Sequence, residues 1–493
     1  MKGWLPLAVI GALLAQGCPL GPDYETPPMV VPEDFRAELP AEEAQSLADL
    51  PWWEVFEDPA LQVLIAQAVA DNYDLQAAAA RVRRSSSFVG IARSELFPQL
   101  GYDGTGTRQR SPLTPSAEPQ TFNVFTGAFD LAWEVDLWGR IRRATEAAEA
   151  QMLATEEVQR GILLTLVSEV ARSYFRLLEL DRALAISRET RESFEHSLDL
   201  FQRRYEGGVG SDLAVARAEA ALADVAAEIP LIEGRIVLLE NRIRLLVSLA
   251  PGPVERGTLA GQIGVPQTPA GLPSELMERR PDIREAEERV RAANATIGVA
   301  VANFFPRIGL SGLYGASSTE LSDMLSGSMG IWNLAAAVSG PLFTGGRNYE
   351  QYKAEVAAWE GTVALYKQTV LRAFAEVSDI LTAQQKLVAE RAQREIAVAS
   401  LQRSVELALL RYELGLADYF EVIDAQQELY PAQLDLARVR RTELALVARL
   451  YSALGGGWDL PDEQWVGQDP ETGEISVGSE LGVDTPPTPT GGS

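Results

Sequence analysis

The chain repeats itself, and that constrains the fold more than any other feature. Gly90-Ile91-Ala92 with Phe97-Pro98-Gln99-Leu100-Gly101 returns as Gly298-Val299-Ala300 with Phe305-Pro306-Arg307-Ile308-Gly309, so Pro98 maps onto Pro306 at an offset of 208. The same spacing pairs Asp74-Leu75 with Asp282-Ile283 and Arg81-Val82-Arg83 with Arg289-Val290-Arg291. Downstream the offset falls to 207: Arg140 pairs with Arg347, Glu169-Val170 with Glu376-Val377, and Arg204-Tyr205-Glu206 with Arg411-Tyr412-Glu413. A register kept over about 150 residues with one slip marks a tandem duplication, in which two copies build one architecture rather than two unrelated domains.

Each copy has the same internal order. A helical run (58–96, then 276–303) leads into a Gly-, Thr- and Ser-rich stretch of short-period alternation. A very long helical run follows (141–205, then 348–412), broken at Gly207-Gly208 or Gly415, and a returning helix closes the copy (212–249, then 419–454). The long runs are rich in Ala, Leu, Glu and Arg with almost no Gly or Pro, so propensity and apolar spacing agree. At about 1.5 Å per residue each makes a rod of roughly 100 Å. A coiled-coil spacer would show the same stripes. Pro230 and Pro431 predict kinks within the returning helices.

The alternating stretches discriminate better. From Phe125 to Leu137 one parity carries Phe125, Phe129, Leu131, Trp133, Val135 and Leu137, while the other carries Thr126, Asp130, Glu134 and Asp136. That is a strand of barrel length with one apolar and one acidic face, putting Phe129, Leu131 and Trp133 toward lipid or an interface. In the second copy Trp332, Leu334, Ala336, Val338 and Leu342 alternate with Asn333, Ala335, Ala337 and Ser339. Leu100 with Tyr102, and Ile308 with Leu310, begin the preceding strands. A half-exposed sheet of a soluble domain alternates likewise. In hydrocarbon, however, four strands per chain leave open edges with unpaired backbone groups, so chains must share a barrel. Two chains give eight strands and a filled interior; three give twelve and room for an aqueous lumen.

The N-terminus reads as an export signal: Lys2, an apolar run from Trp4 to Ala15, then Gly17-Cys18. Cys18 is the chain's one cysteine, which excludes an internal disulfide and leaves the thiol for lipid attachment. Several acyl chains there would anchor the protein firmly. No other stretch has the uninterrupted apolar length of a transmembrane helix, so any crossing is made by strands.

Lys and Arg number 43 against 69 Asp and Glu, a formal charge of −26, which argues against nucleic acid or anionic lipid as a general partner. Solubility alone, or a tuned acidic lumen, accounts for the excess. The single histidine, His196, lies in a helical run beside Glu195 and reads as a surface residue. No catalytic constellation, cofactor motif or nucleotide-binding loop is visible, so the expectation is a protein that is not an enzyme and needs no cofactor beyond a covalent lipid at Cys18.

Several stretches resemble the TolC family of outer-membrane factors, in its lipoprotein branch (OprM- and NodT-like). Pro51-Trp52-Trp53-Glu54-Val55-Phe56 with Asp58-Pro59 and Leu61, then Asn72 with Asp74-Leu75, is similar to that family's opening signature. Leu272-Pro273-Ser274-Glu275-Leu276 with Arg279-Arg280-Pro281-Asp282-Ile283-Arg284 resembles its most recognisable motif. Cys18 with Gly21-Pro22-Asp23-Tyr24 and Pro27-Pro28 resembles its mature start. The resemblance covers roughly residues 18 to 458. It implies a mainly α protomer with a membrane β-barrel: a homotrimer with a long periplasmic helical tunnel topped by a shared twelve-stranded outer-membrane barrel. It also implies a periplasmic adaptor and an inner-membrane resistance-nodulation-division pump as partners.

The family closes its periplasmic mouth near the second copy's helix turn, and there Tyr412, Glu421 and Asp424 match, with Asp418 an added candidate. Three copies of each carboxylate would favour cations and offer a site that multivalent metal blocks; solvated helix-tip acids are the plainer alternative. Ala417 and Ala214 depart from the family's pattern of charged gate partners. Gly207-Gly208-Val209 and Leu414-Gly415-Leu416 resemble the turns that meet the adaptor, or simply reverse the chain. The organisation expected is thus a signal peptide at 1–17, an extended segment at 18–57, copies at 58–250 and 276–458 joined by a linker at 251–275, and an acidic, Pro- and Gly-rich tail at 459–493 too polar to bury a core. The function expected is a passive exit duct of a tripartite efflux pump. A lipid-anchored spacer or adhesin without a pore, or a type I protein-secretion exit duct, are the alternatives.

Overall fold

The computed structural model describes residues 19–29, 49–112, 118–262, 276–325 and 329–457. Cys18, the expected signal peptide and the acidic tail lie outside the described residues.

The first expected helical run is two helices after a short α1 (Trp52–Val55). Asp58 caps α2 (Pro59–Asp71) by accepting from the Ala60 and Leu61 amides, with Pro59 at the first helical position where its missing N–H costs nothing. Asn72 then breaks the run: its side-chain oxygen accepts from the Asp74 and Leu75 amides and starts α3 (Tyr73–Ser94). Its amide group donates to the Leu246 carbonyl. In the second copy Pro281 separates α6 (Leu276–Arg279) from α7 (Pro281–Ala302).

The long helices are α4 (Arg140–Glu206) and α8 (Arg347–Glu413), 67 residues each. The returning helices are α5 (Asp212–Leu246) and α9 (Tyr419–Ala453), 35 residues each, and both continue through their prolines, Pro230 and Pro431. Equal lengths in the two copies are what a duplication with one slip requires.

The chain forms two compact units, and neither is a copy of the duplication. Among the described residues, the first comprises 19–29, 79–112, 118–158, 284–325 and 329–369, and the second 49–78, 159–262, 276–283 and 370–457. Each unit draws on both copies, so the duplication is one of sequence and not of independent domains.

The first unit carries the sheet, an antiparallel meander in the order β1 (Gln99–Ser111), β2 (Gln120–Val135), β3 (Arg307–Ser318) and β4 (Gly330–Ser339). β2 starts five residues before the expected strand. Its extra residues, 120–124, pair with 107–111 alone, because β3 first meets β2 at Phe125↔Ser318. The hairpin therefore continues past the sheet as a two-stranded ribbon. Within the protomer β1 and β4 each have one unpaired edge.

The second unit is mainly helix-on-helix packing, with Val254 of the segment after α5 joining its core. Leu177, Ile232, Ile236 and Ile243 form one buried cluster, and Phe201, Ala214, Val405, Tyr412 and Val422 form another. Among the described residues no helix is long and apolar enough to cross a membrane.

Candidate functional site: a one-sided sheet, a seated strap and two helix turns

The register sorts the strands into faces. Tyr102, Phe129, Tyr314 and Trp332 lie directly opposite one another across all four strands and are between 59% and 85% exposed. The neighbouring rows on that face are Leu100, Leu131, Gly312 and Leu334, then Trp133, Leu310 and Ala336, then Val135, Ile308 and Val338. Phe129, Leu131 and Trp133 thus share one apolar face, as the alternation predicts. Tyr102, Tyr314 and Trp332, which complete the aromatic row, were not singled out from sequence as one feature, since only the register aligns them. The opposite face holds Asp103, Asp130 and Glu134, with Thr126 and Ser317 joined side chain to side chain at 3.1 Å. A soluble sheet buries its apolar face; here Tyr102, Phe129, Tyr314, Trp332 and Leu334 on that face stay exposed, as in strands solvated by lipid.

At the helical end of the sheet the junction is fixed by hydrogen bonds. Trp133 donates its indole N–H to the Leu96 carbonyl at 3.0 Å, and Trp138 donates to the Pro306 carbonyl at 2.7 Å while stacking on Phe305. Glu134 takes the Arg140 guanidinium in a two-point fork at 2.9 and 3.0 Å, and Asp136 accepts from the Ile141 and Arg142 amides to cap α4.

The N-terminal segment 19–29 is seated against this junction. Leu20 donates its amide to the Trp138 carbonyl, and the buried Arg143 donates to the Leu20 carbonyl and to Asp23. Tyr24 and Thr26 both donate to Glu287 at about 3 Å, and Arg291 lies 4.9 Å from the Tyr24 ring centre. Burial, with the Glu287 carboxylate beside it, pushes the Tyr24 phenol up to about 12. Three glycines make room. A Cβ on Gly139 would come within 2.5 Å of Pro19, one on Gly21 within 2.5 Å of Gly298, and one on Gly298 within 2.8 Å of the Leu20 carbonyl. Sequence reading marked Gly21 to Tyr24 only as a resemblance; the contacts that seat them could not be read there.

The two helix turns have one geometry. Gly208 and Gly415 take φ of 76° and 73°. The Val209 amide donates to the Arg204 carbonyl and the Gly208 amide to Tyr205, and the Leu416 and Gly415 amides repeat this on Arg411 and Tyr412. This is the left-handed glycine stop that satisfies a helix's last carbonyls. Val209, Leu414 and Leu416 project into solvent, so both turns end in bare apolar tips flanking Gly207 and Gly415.

The gate candidates separate. Asp418, Glu421 and Asp424 lie on the exposed side of α9's first turns, with Asp418 at the cap position and Glu421 3.5 Å from Arg411. Tyr412 is not with them in the protomer. It lies on the face of α8 that carries Val405 and Ala408, buried against Phe201 at a ring distance of 5.0 Å. Arg204 covers its other side, 4.4 Å from the ring centre, and donates to its carbonyl. Arg204 was missed as a partner, although the pairing of Arg204-Tyr205 with Arg411-Tyr412 was the available signal.

The Arg279-Arg280-Pro281-Asp282 motif also acquires a physical role. Arg280 is buried and donates to the Ala453 carbonyl at 2.6 Å, to Asp282 and to Glu376, so one cation closes the last turn of α9 and ties it to α8.

An antiparallel sheet with a bare apolar face, rooted on long helices and open at both edges, defines an outer-membrane barrel protein. Residues 64–248 and 272–456 each match the outer membrane efflux protein family, once per copy. The chain belongs to that family. The cation efflux system protein CusC of Escherichia coli O6:H1 is 32% identical over 457 residues, 92% of this chain and 98% of CusC. The toluene efflux pump outer membrane protein TtgC of Pseudomonas putida is 34% identical over 472 residues, 93% of this chain and 96% of TtgC. Among solved structures, the outer-membrane channel OprN shares 28% identity and a TM-score of 0.84 over 90% of this chain and 100% of OprN. The crystal structure of CusC gives 30% and 0.81 over 89% and 100%. The chain is an outer-membrane efflux channel component with a helical periplasmic portion.

Proposed function

We propose that three copies join their four-stranded sheets edge to edge into one twelve-stranded barrel, and that this trimer is the exit duct of a tripartite pump with a periplasmic adaptor and an inner-membrane resistance-nodulation-division transporter. The observation that carries the reading is the open sheet. Its apolar face is bare and its β1 and β4 edges are unpaired, a combination that hydrocarbon tolerates only when further strands close the ring. Twelve strands leave an aqueous lumen lined by the face that carries Asp103, Asp130 and Glu134.

The duct performs no catalytic step and draws its energy from the transporter. Cys18 carries the acyl anchor, one residue before Pro19, which is seated at Gly139. The exposed acids Asp418, Glu421 and Asp424 form the constriction where three copies meet. In this role Tyr412 acts from behind, holding the turn through Arg204, and the bare tips at Val209, Leu414 and Leu416 receive the adaptor. The transporter sets the cargo: one relative is named for cations and another for toluene.

Planar-bilayer recording of the purified full-length chain tests the reading, alongside gels run with and without heating. Discrete conductance steps and a heat-sensitive band near three times the protomer mass are expected. A protein that stays monomeric and leaves bilayers silent is a spacer or an adhesin, and the reading fails.

A further inference from the structure

The strands carry few charges, and these are sorted by face. Asp103, Asp130, Glu134 and Arg307 share the polar parity, and among the described strand residues Arg108 and Arg110 are the only charged side chains on the parity of Phe129, which turns polar past Phe125 with Asn123 and Thr121 opposite them. Both are exposed, and among the described residues neither has a carboxylate in salt-bridge range; Arg108 reaches only the Asn123 side chain, at 3.5 Å. This isolation stands out in a chain with 69 acids against 43 bases.

Their height on the face is set by the register. From Val135 to Phe125 the strand advances ten residues, roughly 33 Å along its axis and about 25 Å across a membrane at barrel tilt, the height of a barrel's apolar band. Arg108, opposite Asn123, is the next residue on that face, and Arg110 follows. Both lie on the two-stranded ribbon at the end of the sheet remote from α3 and α4.

We propose that Arg108 and Arg110 bind the phosphate groups of a phosphorylated glycolipid in the outer leaflet. The guanidinium fork matches phosphate oxygens in two-point geometry and stays charged at any physiological pH. A protein of net charge −26 otherwise repels such a headgroup, so two unpaired cations just above the apolar band supply the local attraction that its field lacks. The proposal rests on the outward facing of the Phe129 parity.

The test uses the full-length trimer in phosphatidylcholine nanodiscs doped with diphosphorylated lipid A or with the same lipid stripped of its phosphates. Native mass spectrometry reads retained lipid. The wild type is expected to keep the phosphorylated form selectively, Arg108→Gln with Arg110→Gln to retain about tenfold less of it, and Arg108→Lys with Arg110→Lys to fall between. Equal retention of both lipids by the wild type, or undiminished retention by the double Gln variant, overturns the proposal. Displacement by millimolar inorganic phosphate would mark a generic anion site and overturn the lipid assignment. The facing has its own readout: if Ala132→Arg abolishes the trimer and Leu131→Arg does not, the facing itself is reversed, whatever the lipid result.

Discussion

At the end of each 67-residue helix the backbone does the same thing, and the side chains do not. Arg204-Tyr205 and Arg411-Tyr412 occupy matching positions before matching glycine stops, yet Tyr205 is 48% exposed and Tyr412 only 6%. Arg204 reaches across to the Tyr412 ring and carbonyl, whereas Arg411 stays on its own turn, near Glu421 and the Leu416 carbonyl. The notches behave likewise. Gly298 is filled by the strap, while its counterpart Gly90 has nothing within 4 Å of where a Cβ would sit. The strap's partners are gone from the other copy too: Arg143 maps onto Glu350 and Glu287 onto Ala79. Two copies that pack on each other, with one strap between them, cannot remain equivalent. Backbone geometry survives duplication because each copy needs it; side chains diverge wherever there is one partner for two sites.

The turns offer the sharpest way to break this comparison. Tyr412→Ala empties a site walled by Phe201, Val422 and the Arg204 guanidinium, and is expected to cost about 3–5 kcal/mol. Tyr205→Ala, at a half-exposed position, should cost about 0.5 kcal/mol or less. Denaturation of the two purified variants measures both, and similar losses would show that the turns are equivalent after all.

In the sheet the copies should agree rather than differ. Leu131 and Leu334 share one row, so Leu131→Arg and Leu334→Arg are each expected to cost about 2–4 kcal/mol of membrane stability and to deplete assembled trimer. Ala132→Arg and Ala335→Arg, on the opposite face, should assemble nearly as the wild type does. Trimer yield from membranes decides, and a difference between Leu131→Arg and Leu334→Arg would show that one copy's strands are not lipid-facing.

What sequence reading recovers and what it misses follow the same division. The duplication, the helix lengths and the strand faces rest on periods that continue for many residues, so they were legible. The break at Asn72 was not, because apolar spacing continues across it and only a side-chain cap divides α2 from α3. Residues 120–124 fall outside the expected strand because their apolar residues, Phe122 and Val124, sit on the opposite parity from Phe125, Phe129 and Leu131, so the alternation changes face where the ribbon begins. Resemblance to the family's gate groups Tyr412 with Glu421, Asp424 and the added candidate Asp418, but the direction of its side chain is set by Phe201 and Arg204, more than 200 residues away in sequence. The strap is Pro-rich and carries no period at all.

The notches come next in size. Gly298→Ala drives a methyl group into the Leu20 carbonyl and the Arg143 side chain, and is expected to lose about 1–3 kcal/mol and to free the strap to proteolysis. Gly90→Ala meets nothing and should gain up to about 1 kcal/mol from helix propensity. Alkali probes the same seat. The folded Tyr24 phenol titrates at about 12 and the unfolded one near 10, so the strap's stabilisation is intact below about pH 10 and lost as pH rises toward 12. Tyr24→Phe, which cannot ionise, should remove that alkaline release, as limited proteolysis of the N-terminus across pH 9 to 12 will show.

The smallest effect on stability is expected at the acids of α9, where the consequence is for ions instead. Asp418, Glu421 and Asp424 are exposed, and the matching residues of α5 are Ser211, Ala214 and Arg217, so the first copy carries no carboxylate at any of the three positions. If three copies of α9 line a common mouth, each carboxylate level presents three like charges that attract cations and bind multivalent ones. Glu421→Ala with Asp424→Ala should then reduce cation selectivity and weaken block by trivalent metal ions in bilayer recordings. Trimer yield should stay unchanged, since neither residue belongs to the unit that carries the sheet. Arg217→Glu, which places an acid at the first copy's equivalent of Asp424, sharpens the contrast. It should leave metal block as in the wild type if only the second copy lines the mouth, and increase it if both do. Unaltered selectivity and block in the Glu421 and Asp424 double variant would reduce the three carboxylates to solvated helix-tip acids.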